Sequence, residues 1–125
     1  MWSDDWIGLP YQAIGRGPEA YDCLGLFLAL QQARHDRDLH DPLCSMTEAA
    51  RRRIVDAQRP IWRRVEAAQE GDAVLFRVRG MALHVGYALG PRLMLHVQDD
   101  AASVIEDFTQ TGWRERLEGI YTYAG

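Results

Sequence analysis

The chain has 125 residues, is 47% hydrophobic and carries a formal net charge of −4. That length suits one domain that buries roughly two-thirds of the surface its unfolded form exposes. The acidic balance excludes a partner held by clustered positive charge, nucleic acid above all. The longest apolar run, Cys23 to Leu30, falls far short of the ~20 residues a membrane span requires.

The first residues, Met1-Trp2-Ser3-Asp4-Asp5-Trp6, are acidic where a secretory signal would be basic. The expectation is synthesis and folding in the cytoplasm, with any later export by another route. Gly8, Pro10, Gly15, Gly17 and Pro18 then mark a loop, with at most a helical turn near Trp6.

A helix is expected from Asp22 to about Arg37. Apolar residues surround its first two turns (Leu24, Leu26, Phe27, Leu28, Leu30), as in a central helix. Its opening, Asp22-Cys23, is unusual for a thiol that only fills a core. Asp22 is suited to N-capping, and Cys23 then sits among unpaired backbone N–H groups at the positive end of the helix, so its pKa is expected to fall. Gly25 costs about 1 kcal/mol against Ala within a helix, which points to close approach of another backbone. Ser45 and Glu48 form a capping box for a second helix to about Gln58, with Met46, Ala50, Ile54 and Ala57 facing inward. Arg51-Arg52-Arg53 reads as a solvated face and is assigned no role. Cys23 and Cys44 are too few for a disulfide framework or a Cys-based zinc site; both read as free thiols, with Cys44 a structural one.

After Pro60 the pattern changes to period two. Strands are expected at Ala73–Val78, Leu83–Leu89, Leu93–Val97, Ser103–Asp107 and about Glu118–Tyr123, broken at Gly80, Gly90-Pro91 and Asp99-Asp100. Helices first and consecutive strands afterwards indicate an α+β fold, with N-terminal helices packed on an antiparallel sheet of about five strands.

Of the four histidines, His35 and His40 lie in the charged end of the first helix and read as solvated surface residues. His84 and His96 flank Gly90-Pro91 and stand an even twelve residues apart. A three-residue loop centred on Gly90 would make them direct cross-strand neighbours on one face; a register shift would loosen that pairing but keep them on adjacent strands. The same face carries Gly86 and Ala88, a shallow surface on which the helix bearing Cys23 and Gly25 is expected to dock. That docking would bring the thiol to an imidazole able to take its proton and a second able to fix the tautomer of the first. Cys23, His84 and His96 are also possible zinc ligands by type.

The segments "WIGLPY", "GRG", "DCLGL", "GDAVLF", "HVGYALG" and "MLHV", with Trp113 before a final strand, together resemble the NlpC/P60 family of papain-like cysteine peptidases over residues 6 to 123. The Trp-x-Gly-x-Pro-Tyr opening, the short chain and Leu24 are most similar to the phage-tail and gene-transfer-agent branch. The resemblance implies one peptidase domain over residues 1–125, no cofactor and no metal. It makes Cys23 the nucleophile, His84 the base that forms its ion pair and protonates the leaving amine, and His96 the orienting third member. Asp22 matches an acidic residue that caps the helix and in some members meets a free amino group of the substrate; Tyr11 matches a tyrosine whose hydroxyl lies near the thiol. The implied reaction is hydrolysis of an amide in the peptidoglycan stem peptide, commonly the D-γ-glutamyl to diaminopimelate bond. The implied setting is the cell wall, reached in a phage-like particle with tail proteins as partners. An interbacterial toxin amidase and a silent tail subunit are the competing readings. Leu24 replaces a common Ser and Ala20 a common Gly, departures that bear on specificity and on the turn before the nucleophile.

Overall fold

The computed structural model describes residues 1–79 and 82–125; the break expected at Gly80 lies outside them. A short 3-10 turn, Trp2–Trp6, opens the chain, and loop follows as far as Asp22. Helix α1 is Cys23–His35, and its Asp22 cap accepts from the Gly25 N–H. It ends at Asp36, whose φ of 53° places it in the left-handed region. Ser45 caps α2, Met46–Arg51, through the Glu48 N–H.

The expected second helix does not run unbroken to Gln58. Arg53 takes a φ of 60° and starts a separate α3, Ile54–Gln58. Met46 and Ala49 are buried in α2, whereas Ala57 is exposed. The break redirects Ile54 and Val55 toward an apolar cavity of about 110 Å³ between α1 and the sheet.

The strands are β1 Trp62–Val65, β2 Ala73–Arg79, β3 Ala82–Ala88, β4 Leu93–His96, β5 Val104–Asp107 and β6 Leu117–Tyr123. A last short helix, α4 Thr111–Arg114, precedes β6. The sheet order is β1-β6-β2-β3-β4-β5, and every pairing is antiparallel. The α+β arrangement is therefore the expected one with one strand more. The addition, β1, is an edge strand whose exposed Arg63 and Arg64 interrupt period-two patterning; charge of this kind keeps an edge from pairing further.

Both faces of the sheet are apolar. Leu26, Phe27 and Leu30 of α1 pack with Leu75, Val85, Tyr87, Leu95 and Val97 on one face. Val74, Phe76, Ala88 and Met94 form the other, covered by Trp113 of α4 and by Phe108. Helix α1 thus docks on the face opposite to the one expected, because the branched and aromatic side chains at odd positions offer it more apolar surface than the shallow Gly86–Ala88 side. Met94 fills the shallow side instead: a Cβ at Gly86 would come within 2.6 Å of its Sδ. The backbone that approaches Gly25 belongs to the N-terminal loop, since a Cβ there would overlap the Gly15 carbonyl oxygen.

Candidate active site

Cys23 occupies the first position of α1, where backbone N–H groups have no intrahelical acceptor. Its cap is itself held in place. One oxygen of the buried Asp22 carboxylate accepts from Gly25 N–H at 2.7 Å and Arg16 Nη1 at 2.8 Å, while Oδ2 has no partner among the described residues. Arg16 also binds Asp41 and the Cys44 carbonyl, tying the loop before α1 to the loop before α2. Cys44 is buried. Burial raises the Asp22 pKa, and the Gly25 N–H and Arg16 only partly offset it.

The Val85 and Leu24 amide groups favour a thiolate at Cys23, so the sulfur lies beside the peptide that joins His84 to Val85. The expected fall in its pKa does not follow. Burial pushes the thiol up to about 12, the negative Asp22 works in the same direction, and the amide groups and Arg16 do not overcome them. The residue as a whole is partly exposed, but the sulfur points inward. His84 is driven the opposite way, down to about 3, by burial and by neighbouring His96. At rest Cys23 therefore carries a neutral thiol and His84 a neutral imidazole.

The two histidines meet. His84 Nε2 and His96 Nδ1 are 2.8 Å apart, and both residues are buried. The route differs from the expected one. Tyr87 opposes Leu95 and Ala88 opposes Met94, a register that sets His96 across from Gly86 rather than His84. The shift of two residues preserves the shared face, and the two rings meet across the diagonal. The Trp113 ring stacks on His84 with centroids 5.4 Å apart. Among the described residues, Cys23, His84 and His96 do not converge as a set of metal ligands.

The chain of contacts continues beyond the histidines to Glu106, which sequence reasoning missed. His96 Nε2 lies 3.0 Å from Glu106 Oε1, and Trp113 Nε1 donates to Oε2 at 2.9 Å. Glu106 opposes Met94 in the β4–β5 pairing and so shares the face of His96. Its even separation from His96 was the only signal in the sequence.

Tyr11 lies in the loop before α1. The Ser103 hydroxyl accepts from Leu9 N–H and donates to the Trp6 carbonyl, pinning that loop to the segment between β4 and β5. Burial raises the Tyr11 pKa, and the charges of Asp99, Asp22, Cys23 and Asp100 add to it. Tyr11 thus stands in acidic surroundings, within electrostatic range of Cys23. His35, expected on the solvated surface, is half-buried and bonded to the Tyr87 hydroxyl at 2.8 Å, whereas His40 is exposed. The apolar cavity lies past Leu24, and neither Cys23 nor the two paired histidines line it.

Comparison with known proteins decides the family. The NlpC/P60 family pattern matches residues 8–122. The chain belongs to that family. No curated protein matches it. Among solved structures, a Staphylococcus aureus protein similar to lipoproteins of the NLP/P60 family superposes with a TM-score of 0.69 at 20% identity, covering 98% of this chain and 40% of that one. NlpC2 from Trichomonas vaginalis gives 0.69 at 20% identity, covering 97% and 45%. The NlpC/p60 domain of SagA, a peptidoglycan hydrolase, gives 0.67 at 20% identity, covering 96% and 92%. The chain spans less than half the length of the first two. At such identities the likeness establishes the NlpC/P60 fold. No helix among the described residues is long and apolar enough to cross a membrane.

Proposed function

We propose that this chain is a cysteine peptidase that hydrolyses an amide bond in the peptidoglycan stem peptide, the D-γ-glutamyl to diaminopimelate bond being the best-matched target. The observation that carries the reading is the buried His84–His96 pair on adjacent strands, the first of which borders Cys23, a thiol at a helix N-terminus, with its Val85 backbone. Family membership and the likeness to the SagA domain support a cell-wall substrate.

With both resting groups neutral, the proton moves as the bond forms. The Cys23 sulfur attacks the carbonyl carbon while His84 accepts the thiol proton. The Cys23 backbone N–H stabilises the developing oxyanion. The carbon–nitrogen bond then breaks, His84 returns the proton to the leaving amine, and a thioester remains on Cys23. Water attacks the thioester, giving one proton to His84, which passes it to the departing sulfur. His96 orients His84 throughout. Tyr11 lies within electrostatic range of the thiol, and Oδ2 of Asp22, unpaired among the described residues, is an acceptor for an ammonium group of the substrate. Delivery in a phage-like particle, with tail proteins as partners, rests on the resemblance of the opening motif to that branch.

Mass spectrometry of muropeptides after incubation of purified sacculi with the protein tests this reading. The expected products carry a new carboxylate on the glutamyl residue and a free amine on the diamino acid. Intact stems after long incubation would overturn it in favour of a silent subunit.

A further inference from the structure

Beyond the two histidines lies a carboxylate with two fixed bonds and no role assigned so far. Partial burial raises the Glu106 carboxyl, but the bonds from Trp113 and His96 outweigh it and hold the group below its ordinary value, so it is ionised and accepts only. Burial keeps His96 neutral. A neutral imidazole has one N–H, and the contact with Glu106 assigns it to Nε2. The His96 Nδ1 must then accept, so His84 donates from its own Nε2 across 2.8 Å. The remaining nitrogen of His84, Nδ1, carries the lone pair and has no hydrogen-bond partner among the described residues.

We propose that Glu106, held by the Trp113 indole, is a positioning residue that sets the direction of the His96–His84 hydrogen-bond chain and so leaves His84 Nδ1 free to take the Cys23 proton. The proposal rests on the peptidase reading only in its last step; the proton positions stand without it. Trp113 has two functions in the arrangement: its ring stacks on the base, and its N–H fixes one carboxylate oxygen.

The isosteric substitution Glu106→Gln separates this role from simple packing. An indole N–H can only donate, so the amide oxygen must turn to Trp113 and the amide NH₂ to His96 Nε2. His96 answers by carrying its proton on Nδ1 and donating to His84 Nε2. The His84 proton is then forced onto Nδ1, and the ring can no longer accept from the thiol. A variant with the same shape therefore holds the wrong tautomer of both rings. Trp113→Phe removes the indole donor while retaining an aromatic ring, freeing the amide oxygen to face His96, so Glu106→Gln with Trp113→Phe should recover what Glu106→Gln alone loses.

Nitrogen-15 chemical shifts of the imidazoles, together with turnover of a soluble muropeptide, test the proposal. In the wild type both rings should carry the proton on Nε2, a reading that requires neither substrate nor any variant. Glu106→Gln should move both protons to Nδ1, lower kcat by about 10²-fold with KM unchanged, and leave the thermal midpoint within a few degrees. Adding Trp113→Phe should restore at least tenfold. Wild-type rings protonated on Nδ1, or wild-type kcat in Glu106→Gln, would overturn the proposal while leaving the peptidase reading intact. A wild type without turnover would remove that reading and leave the ring assignment to be decided by the spectra.

Discussion

Helix α1 has a histidine network at each end, and the two are built for different purposes. At its C-terminal end, His35 donates to the Tyr87 hydroxyl, which donates to Glu70 at 2.7 Å, and Arg34 closes the group with two bonds to the same carboxylate. The guanidinium of Arg34 in turn lies over the Trp2 ring, 4.0 Å from its centroid. Its charges are partly exposed and paired. Toward the N-terminal end, the His84–His96 pair is buried, burial holds both rings below the usual histidine pKa, and the buried Oδ2 of Asp22 has no partner among the described residues. The first arrangement fastens a helix to a strand. The second keeps an unpaired carboxylate oxygen in a buried place, a cost that the proposed chemistry on a substrate would explain and that fastening alone would not.

Substitutions in equivalent positions of the two networks should therefore separate cleanly. His84→Ala should lower kcat by about 10⁴-fold because members of a catalytic unit fail together, while His35→Phe leaves kcat within a factor of two. Kinetics of stem-peptide release with both folded variants measures this, and equal losses would erase the distinction between the ends.

The second test concerns the state of the resting thiol. With the Cys23 pKa at about 12, alkylation by iodoacetamide should rise about tenfold per pH unit from pH 6 to 9, as the thiolate fraction does. A stable thiolate–imidazolium pair would instead give a plateau across that range.

The third uses the depressed His84 pKa. Folded His84 titrates near 3 and an unfolded histidine near 6.5, so between those values the unfolded chain binds the extra proton. Stability therefore rises with pH across that window and falls as acid is added, by on the order of 4 kcal/mol between pH 7 and pH 3. Thermal midpoints of His84→Gln should depend less steeply on pH over the same range. The smallest effect belongs to the fastening network: Tyr87→Phe should destabilise by about 1 kcal/mol, read as a lower midpoint with turnover unchanged.

What the sequence disclosed follows the same division. Asp22-Cys23 before an apolar run, and two histidines at an even separation across a turn, are local or nearly local patterns, and they led directly to the cap, the helix and the shared face. The docking side of α1 was not legible, because period two says which residues share a face and not which face meets the helix; Leu75, Val85 and Tyr87 compete with Val74, Phe76 and Met94 on nearly equal terms. Strand β1 was hidden by Arg63 and Arg64. Glu106 needed the β4–β5 register, which no turn signal specified, and the partnership of Arg16 with Asp22 joins residues whose contact depends on how the loop before α1 folds back. The neutral resting states of Cys23 and His84 were equally out of reach, since they depend on how deeply the fold buries each group.

The most direct test of the central claim compares wild type with Cys23→Ala in their release of stem peptides from purified sacculi, after both are shown to melt cooperatively at similar temperatures. Cys23 begins α1 beside the His84–Val85 peptide, whereas the other thiol among the described residues, Cys44, is buried ahead of α2. Cys23→Ala should release nothing above the background of buffer alone. Release by Cys23→Ala at the wild-type rate would contradict it.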